Sequence, residues 1–326
     1  MKILVTGGAG FIGSHLVEFL LKHGDEVIVL DDLSTGRLEN LADVAEHPAL
    51  QVTEGNVTDE KLVDELVPNV DVVYHLAASV GVKNIVDNLV ESIENNVRGT
   101  EVILRAASDN MKRILLTSTS EVYGRTNDEP FREDDDLRIG PTRKTRWSYA
   151  CSKALDEYLG FAYYHERQLP VTAVRLFNTV GERQTDQYGM VLPTFVRQAV
   201  ANEPITIYGD GSQSRCFCHV SDVVTAIHGL MSSPETAGEV YNIGSTEELS
   251  MNDLAERVRT VLGSTSEITY VPYAEAYKVG FDDISRRVPD ISKLLSTMAW
   301  KPTIGLDEII TRVAAAQQEQ RVAENA

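Results

Sequence analysis

MKILVTGGAGFIGSHLVEFL, residues 1–20, passes from a strand pattern to a helix pattern with glycines between them. Lys2 to Thr6 is short, apolar and β-branched, whereas Ile12, Leu16, Phe19 and Leu20 recur at helical spacing. Gly7, Gly10 and Gly13 therefore fall where a strand becomes a helix. Residues without Cβ let the backbone turn tightly and a ligand approach, and the helix N-terminus offers unpaired N–H groups to a pyrophosphate. The junction predicts a dinucleotide site, with a plain packing turn as the alternative.

The next segment weighs between the two. Glu26 to Leu30 reads as a second buried strand ending on Asp31 and Asp32, about 20 residues past the glycines, where a nucleotide-binding βαβ unit needs a carboxylate for the adenosine ribose. Asp31 favours NAD over NADP because it repels a 2′-phosphate, although Arg37 lies near. An aspartate that merely ends a strand is the plainer alternative.

Further strand patterns at Gln51–Thr53, Val70–His75, Arg113–Ser118 and Val171–Phe177 alternate with helical stretches. This βαβ rhythm predicts an α/β Rossmann fold, a doubly wound parallel sheet with ligands beyond the carboxyl ends of its strands. After Asn178 the rhythm breaks into the polar loop GERQTDQYGMV, a strand and turn in ITIYGDG, and a buried strand in EVYNIGS. We expect a smaller interleaved α/β substrate domain: residues 1–177 plus about 220–246 bind the dinucleotide, and about 178–219 plus 247–326 bind the substrate. The tail after Ile310 reads as a polar, fraying helix.

The 326 residues are 43% hydrophobic and 7% aromatic, which suits an α/β protein. No run approaches the ~20 apolar residues of a membrane span. The chain enters a strand at once where a signal sequence would stand, so a cytoplasmic location is expected. The 3 cysteines make no disulfide framework, and Cys216 and Cys218 lack the partners of a zinc site, so no metal is expected. With 30 basic against 49 acidic residues, the net charge of −19 argues against nucleic acid or an anionic membrane as partner. An anionic substrate would then need local arginines, and Arg175, Arg183, Arg215, Arg286 and Arg287 all lie in the second half.

Chemistry is concentrated in LLTSTSEVYG (115–124) and RWSYACSKALDEYL (146–159). Tyr149 and Lys153 stand four apart on a predicted helix, one turn along one face. Lowering a tyrosine pKa from ~10 to ~7 takes about 4 kcal/mol. One positive charge at ~4 Å with an effective dielectric near 20 supplies roughly that. The spacing predicts a tyrosine base tuned by its lysine.

Together these motifs resemble the extended short-chain dehydrogenase/reductase family of nucleotide-sugar epimerases, dehydratases and decarboxylases. The resemblance spans almost the whole chain: GGAGFIG, DDLSTG, HLAA (75–78), NNVRGT, TSTSEVYG, the Tyr149/Lys153 pair, RLFNTVGERQ, YGDGSQSR and PDISK. It implies NAD held by Gly7, Gly10, Phe11, Ile12, Gly13, Asp31, Asp32, Ser34, Asn56, Val57, Leu76, Ala77, Ala78 and Asn96, with Tyr149 and Lys153. Asn56 is a departure, since the family usually has aspartate there, but it still offers an acceptor to adenine. The resemblance further implies that Thr119 binds the sugar O4, Tyr149 takes its proton and hydride leaves C4 for NAD. Asn178 and Arg215 would hold the diphosphate, Val191, Leu192 and Tyr208 the base, and Arg183 the nucleotide end, with Val80 and Arg287 as further substrate contacts.

The shared intermediate is a 4-keto sugar, and three outcomes compete. Ser120, Glu121 and Arg215 in combination, with RW (146–147) just before SYACSK and Arg287 of RVPDISK, resemble UDP-glucuronate decarboxylases. A UDP-sugar 4-epimerase has no use for Glu121, and a 4,6-dehydratase would use it as the C5 base. A non-catalytic NAD sensor is the reading from a different class, and the Thr119, Tyr149 and Lys153 set argues against it. The helices from Ser148 and around Val97–Ala106 carry surplus apolar surface, including Ala154, Leu155, Tyr158, Leu159, Ala162 and Tyr163, which predicts a homodimer.

Overall fold

Strand β1 (Lys2–Thr6) is buried from Ile3 onward on both faces, as a central strand of a parallel sheet must be. The structure, a computed structural model, describes residues 1–81, 88–125, 129–185, 190–276 and 284–324. Seven strands form the main sheet: β1, β2 (Glu26–Asp31), β3 (Leu50–Glu54), β4 (Val72–His75), β5 (Arg113–Thr119), β6 (Val171–Leu176) and β7 (Glu239–Ile243). All neighbours are parallel, in the order β7-β6-β5-β4-β1-β2-β3. Successive connections run outward from β1 in one direction and from β4 in the other. A crevice opens between their carboxyl ends, where ligands bind in such sheets.

Alternate residues of the strands feed two cores. Ile3, Val5, Val27 and Val29 pack with Leu16, Val17 and Leu20 of α1 (Phe11–Lys22). Leu4, Ile28 and Leu30 pack on the other face with Val63 of α2 (Glu60–Leu66) and Val102 and Ile103 of α3 (Leu89–Asp109). Helix α4 (Trp147–Arg167) lies beside α3 and contributes Leu159 and Tyr163 to that face. Each fully buried aliphatic side chain here stabilises by about 1.5–3 kcal/mol.

Beyond β6, helix α5 (Val191–Val200) begins a third core of its own, with Leu192, Phe195 and Val196. Helix α6 (Val220–Ser232) instead returns to the α1 face through Val223, Val224 and Ile227. The third core is completed by Leu254, Ala255 and Val258 of α7 (Met251–Val261) and by Ile309, Ile310 and Val313 of the C-terminal helix Leu306–Glu324. That helix, expected to fray after Ile310, continues to Glu324, and Gln317 Nε2 donates to Pro193 O at 3.0 Å. The expected loop 181–191 falls partly outside the described residues, at 186–189. No helix among the described residues is long and apolar enough to cross a membrane.

Candidate active site

The β1–α1 junction forms the floor of the crevice. Gly7 has φ +71°, and a Cβ there would meet the Ala77 backbone nitrogen at 2.7 Å, so only glycine lets the two chain segments close up. Gly10 is the N-cap of α1 and no side chain caps that helix, which leaves its first N–H groups directed at the crevice. At the end of β2, Asp31 is buried; Oδ2 accepts from Ala9 N and Oδ1 from Leu33 N, each at 2.9 Å. Burial pushes its carboxyl above the ordinary value. A carboxylate has about four lone-pair sites, so beyond these backbone donors Asp31 still offers an acceptor to a ribose hydroxyl. A glycine turn with an uncapped helix end and a carboxylate beyond the second strand fits NAD.

Asp32 and Asn56 are tied to each other: Asn56 Nδ2 donates to Asp32 Oδ2 at 2.7 Å, and Asp32 Oδ1 accepts from Ser34 N and Oγ. Asn56 Oδ1 already accepts from Thr58 N at 2.9 Å and Thr58 Oγ1 at 2.7 Å. The acceptor expected for adenine is therefore taken by Thr58, since a carbonyl oxygen has two lone pairs.

One cleft of about 780 Å³ runs from this junction to the second half of the chain. On the first side it is lined by Gly7, Gly10, Phe11, Ile12, Gly13, Asp31, Asp32, Ser34, Asn56, Val57, Leu76, Ala77, Ala78 and Val80. Thr119, Ser120, Glu121, Tyr149, Lys153, Asn178, Arg183, Val191, Leu192, Arg215 and Arg287 line the other. Two expected contacts stand apart from the lining. Asn96 is buried behind it, its Oδ1 accepting from Ser79 N at 2.7 Å, and Tyr208 is 40% exposed at the end of the strand Ile205–Tyr208.

The arginines divide by role. Arg175 is buried against Glu157, with Nη2–Oε2 at 2.7 Å, and its guanidinium lies 4.7 Å over the Tyr123 ring. Arg286 is bound by Glu248, with Nε–Oε1 at 2.8 Å. Both serve the framework and stand outside the cleft lining. Arg183, at φ 68°, pairs with Glu18 and reaches Ser14 Oγ at 3.2 Å, which places it against α1. Arg215 is buried in the cleft wall and donates to Ser214 O at 2.7 Å. Asn178 Nδ2 donates to Cys216 O at 2.8 Å, tying the segment after β6 to that wall.

At the carboxyl end of β5, Thr119 Oγ1 accepts from Glu121 N at 3.2 Å. The Glu121 side chain meets two guanidiniums: Arg287 Nη1 at 3.3 Å and Arg146 Nη2 at 3.7 Å from Oε1. Arg146 enters the sequence resemblance as the first residue of RW (146–147) and carries no assigned site role there; its place three residues before Tyr149, on the same helical face, is a further signal.

The Tyr149–Lys153 pair differs from expectation. Lys153 Nζ donates to Asp156 Oδ2 at 2.8 Å, with both side chains buried. The Tyr149 phenol is pushed up from its ordinary value by burial first and by the Glu121 and Asp156 carboxylates next. Spacing placed the lysine on the right face, but a carboxylate one turn further on takes up its charge. The cysteines are unpaired, and no group of three or more His, Cys, Asp or Glu side chains suited to a metal occurs among the described residues.

A family model described as GDP-mannose 4,6 dehydratase matches residues 4–313. The chain belongs to the GDP-mannose 4,6 dehydratase family. Within it, the chain is 41% identical over 308 residues to a UDP-N-acetyl-alpha-D-glucosaminuronate decarboxylase of Bacillus cytotoxicus, covering 94% of each. It is 37% identical over 315 residues to UDP-glucuronic acid decarboxylase 1 of Arabidopsis thaliana, covering 97% of this chain and 69% of that protein. Among solved structures, a dTDP-glucose 4,6-dehydratase from Streptomyces venezuelae with NAD and TYD bound superposes with a TM-score of 0.89 at 30% identity, covering 99% of this chain and 98% of that one. UDP-glucose 4-epimerase from Thermotoga maritima, with UDP-glucose, gives 0.88 at 28% identity, covering 98% of this chain and 100% of that one. As a member of this dehydratase family the chain is an enzyme with NAD as cofactor, and its fold is that of these neighbours.

Proposed function

We propose that the enzyme decarboxylates a UDP-linked uronate, UDP-glucuronate or its N-acetylated amino counterpart, through a 4-ketone. The observation that carries the reading is the convergence of Arg146 and Arg287 on Glu121 inside the cleft that also holds Thr119 and Tyr149. Paired guanidiniums suit a C6 carboxylate, which they bind with directional hydrogen bonds. The decarboxylase names of the relatives from Bacillus cytotoxicus and Arabidopsis support the same chemistry.

In this reading Thr119 orients the sugar O4 and Tyr149 accepts its proton. NAD, when bound, supplies the acceptor for the C4 hydride. The resulting β-keto acid loses carbon dioxide, and its bond pair forms an enolate across C4 and C5. Glu121 relays a solvent proton to C5, and Tyr149 returns its proton to O4 as C4 is reduced. Gly7, Gly10, Gly13 and Asp31 hold the cofactor, with Asn96 acting through Ser79; Asn178, Val191, Leu192 and Arg215 hold the nucleotide diphosphate, and Arg183 and Tyr208 flank it.

The proposal includes the division into a dinucleotide lobe, 1–177 plus about 220–246, and a substrate lobe, about 178–219 plus 247–326. It includes a cytoplasmic location, supported by the unpaired cysteines, and a homodimer. Leu155 and Tyr158 on α4 are 48% and 70% exposed, and Val90 and Ile93 of α3 are exposed as well. Ala154, Leu159 and Tyr163 pack within the chain, so the dimer would rest on the first four. Incubation with NAD and UDP-glucuronate, UDP-N-acetylglucosaminuronate, UDP-glucose, dTDP-glucose and GDP-mannose tests the reaction by product mass. Loss of carbon dioxide from a uronate is expected. Loss of water would indicate a dehydratase, and an isomer of unchanged mass the 4-epimerase.

A further inference from the structure

Asp156 is 2% exposed on α4, three residues beyond Lys153, and its carboxylate is met by the Lys153 ammonium at 2.8 Å and by the Thr100 side chain. A buried ion pair in a helix seldom stabilises more than apolar packing would. This one occupies the ammonium that helical spacing brings to Tyr149. A lone charge acts over several ångströms, whereas an ammonium and a carboxylate 2.8 Å apart largely cancel one another at a third group.

The other groups around Tyr149 and Lys153 are accounted for. Glu121 approaches from the turn after β5, with Arg146 from the start of α4 and Arg287 from the short strand Arg286–Arg287. From β4, His75 lies between Thr6 Oγ1 at 2.8 Å and Thr100 Oγ1 at 3.2 Å. Burial holds its imidazole neutral, with a pKa pushed down to about 3. Thr100 of α3 stands beside Asp156, and Glu157 is committed to Arg175. Asp156 is thus the carboxylate that meets Lys153 directly.

We infer that Asp156 is a positioning residue for the deprotonation of O4: it holds the Lys153 ammonium on the buried side of α4 and so sets how readily Tyr149 parts with its proton. The inference rests on Tyr149 as the group that accepts the O4 proton, and it is independent of the fate of the 4-ketone.

Asp156→Asn, which keeps the shape and removes the charge, tests it in the full-length enzyme. The acid limb of the kcat/KM profile should move down by about one pH unit, a gain of about tenfold well below the midpoint. The near-UV tyrosinate absorbance that disappears in an added Tyr149→Phe change should shift with it. Asp156→Glu should restore the original profile. If the asparagine protein does not fold, Asp156→Ala removes the carboxylate without burying an amide. An unmoved acid limb and phenol midpoint in a folded carboxylate-free variant would overturn the inference. In a Lys153→Met background the phenol midpoint should respond much less to Asp156→Asn, with only the direct repulsion between Asp156 and the phenol left; an equal shift would mean that direct repulsion is the whole effect and would also overturn the positioning role. Failure of the underlying reading is separate: there, Tyr149→Phe alone leaves turnover near that of the unmodified enzyme.

Discussion

Arg287 Nη1 lies 3.3 Å from Glu121 Oε1, joining residues 166 positions apart at the cleft wall. Arg146 Nη2 stands 3.7 Å from the same oxygen. In the proposed decarboxylation this contact supplies the carboxylate for proton transfer at C5, with cations beside it for the leaving carboxyl group. Glu121→Gln should therefore still allow oxidation at C4, because Thr119 and Tyr149 stay in place and the Tyr149 phenol loses the upward push of the Glu121 charge, while it slows reprotonation at C5. Stopped-flow absorbance should show NADH rising higher or persisting longer than in the unmodified enzyme. Product formed in deuterium oxide carries the label at C5 for a decarboxylase; an unlabelled C5 would favour C4 epimerisation.

Tyr149→Phe should lower kcat by orders of magnitude and leave the affinities for NAD and the nucleotide sugar within a few-fold, because the phenol acts on O4 as hydride moves. Calorimetric titration of both ligands beside steady-state rates checks the split. A loss confined to KM would remove Tyr149 from the chemistry.

Asp31 accepts hydrogen bonds from Ala9 and Leu33 while facing the cleft. Asp31→Ser should weaken NAD binding and narrow the preference over NADP, since the repulsion of a 2′-phosphate goes with the carboxylate. Competition between the two dinucleotides, read by bound-cofactor fluorescence, measures the change. An unmodified enzyme that already prefers NADP would contradict the assignment.

Acid should loosen the contact between α1 and the segment after β6. His15 Nε2 bonds Glu182 O at 3.1 Å, and burial lowers the His15 pKa to about 4. With the folded value below the unfolded one, about 6.5, its contribution is complete above pH 6.5 and is lost as the pH falls through about 4. Glu182, held down to about 2 chiefly by His219 at 3.0 Å, adds a contribution present above the ordinary glutamate value and lost as the pH falls from there through about 2. His15→Gln keeps a donor for Glu182 O and cannot titrate, so its Tm should fall less steeply between pH 6.5 and 4, by on the order of a few °C at the acid end. Parallel Tm curves for the two proteins would refute this.

Leu155 and Tyr158 lie three residues apart and are exposed on α4, and Val90 and Ile93 are exposed on α3. Tyr158→Glu should convert a dimer to a monomer in light scattering at micromolar concentration, because a two-fold contact sets each introduced charge near its symmetry mate. A monomeric unmodified protein would rule out the interface.

Much of the fold was legible because its signals are local. The β-branched run before Gly7, the helical spacing after Gly13 and the carboxylate closing β2 lie within about one βαβ unit, where backbone geometry is set by neighbouring side chains. Tyr149 and Lys153 were proposed for the same reason, four apart on one helical face, whereas Thr119 and Glu121 came from the family resemblance. Tertiary structure alone decided which charges meet. It committed Arg175 to Glu157 and Arg286 to Glu248, leaving Arg215 and Arg287 in the cleft wall. It brought Arg146 to Glu121, and it turned the Asn56 oxygen to Thr58 and Lys153 to Asp156. Periodicity records which face of an element is buried, but the partner of a buried charge depends on which distant segment the closed fold places within a few ångströms, where desolvation makes pairing obligatory.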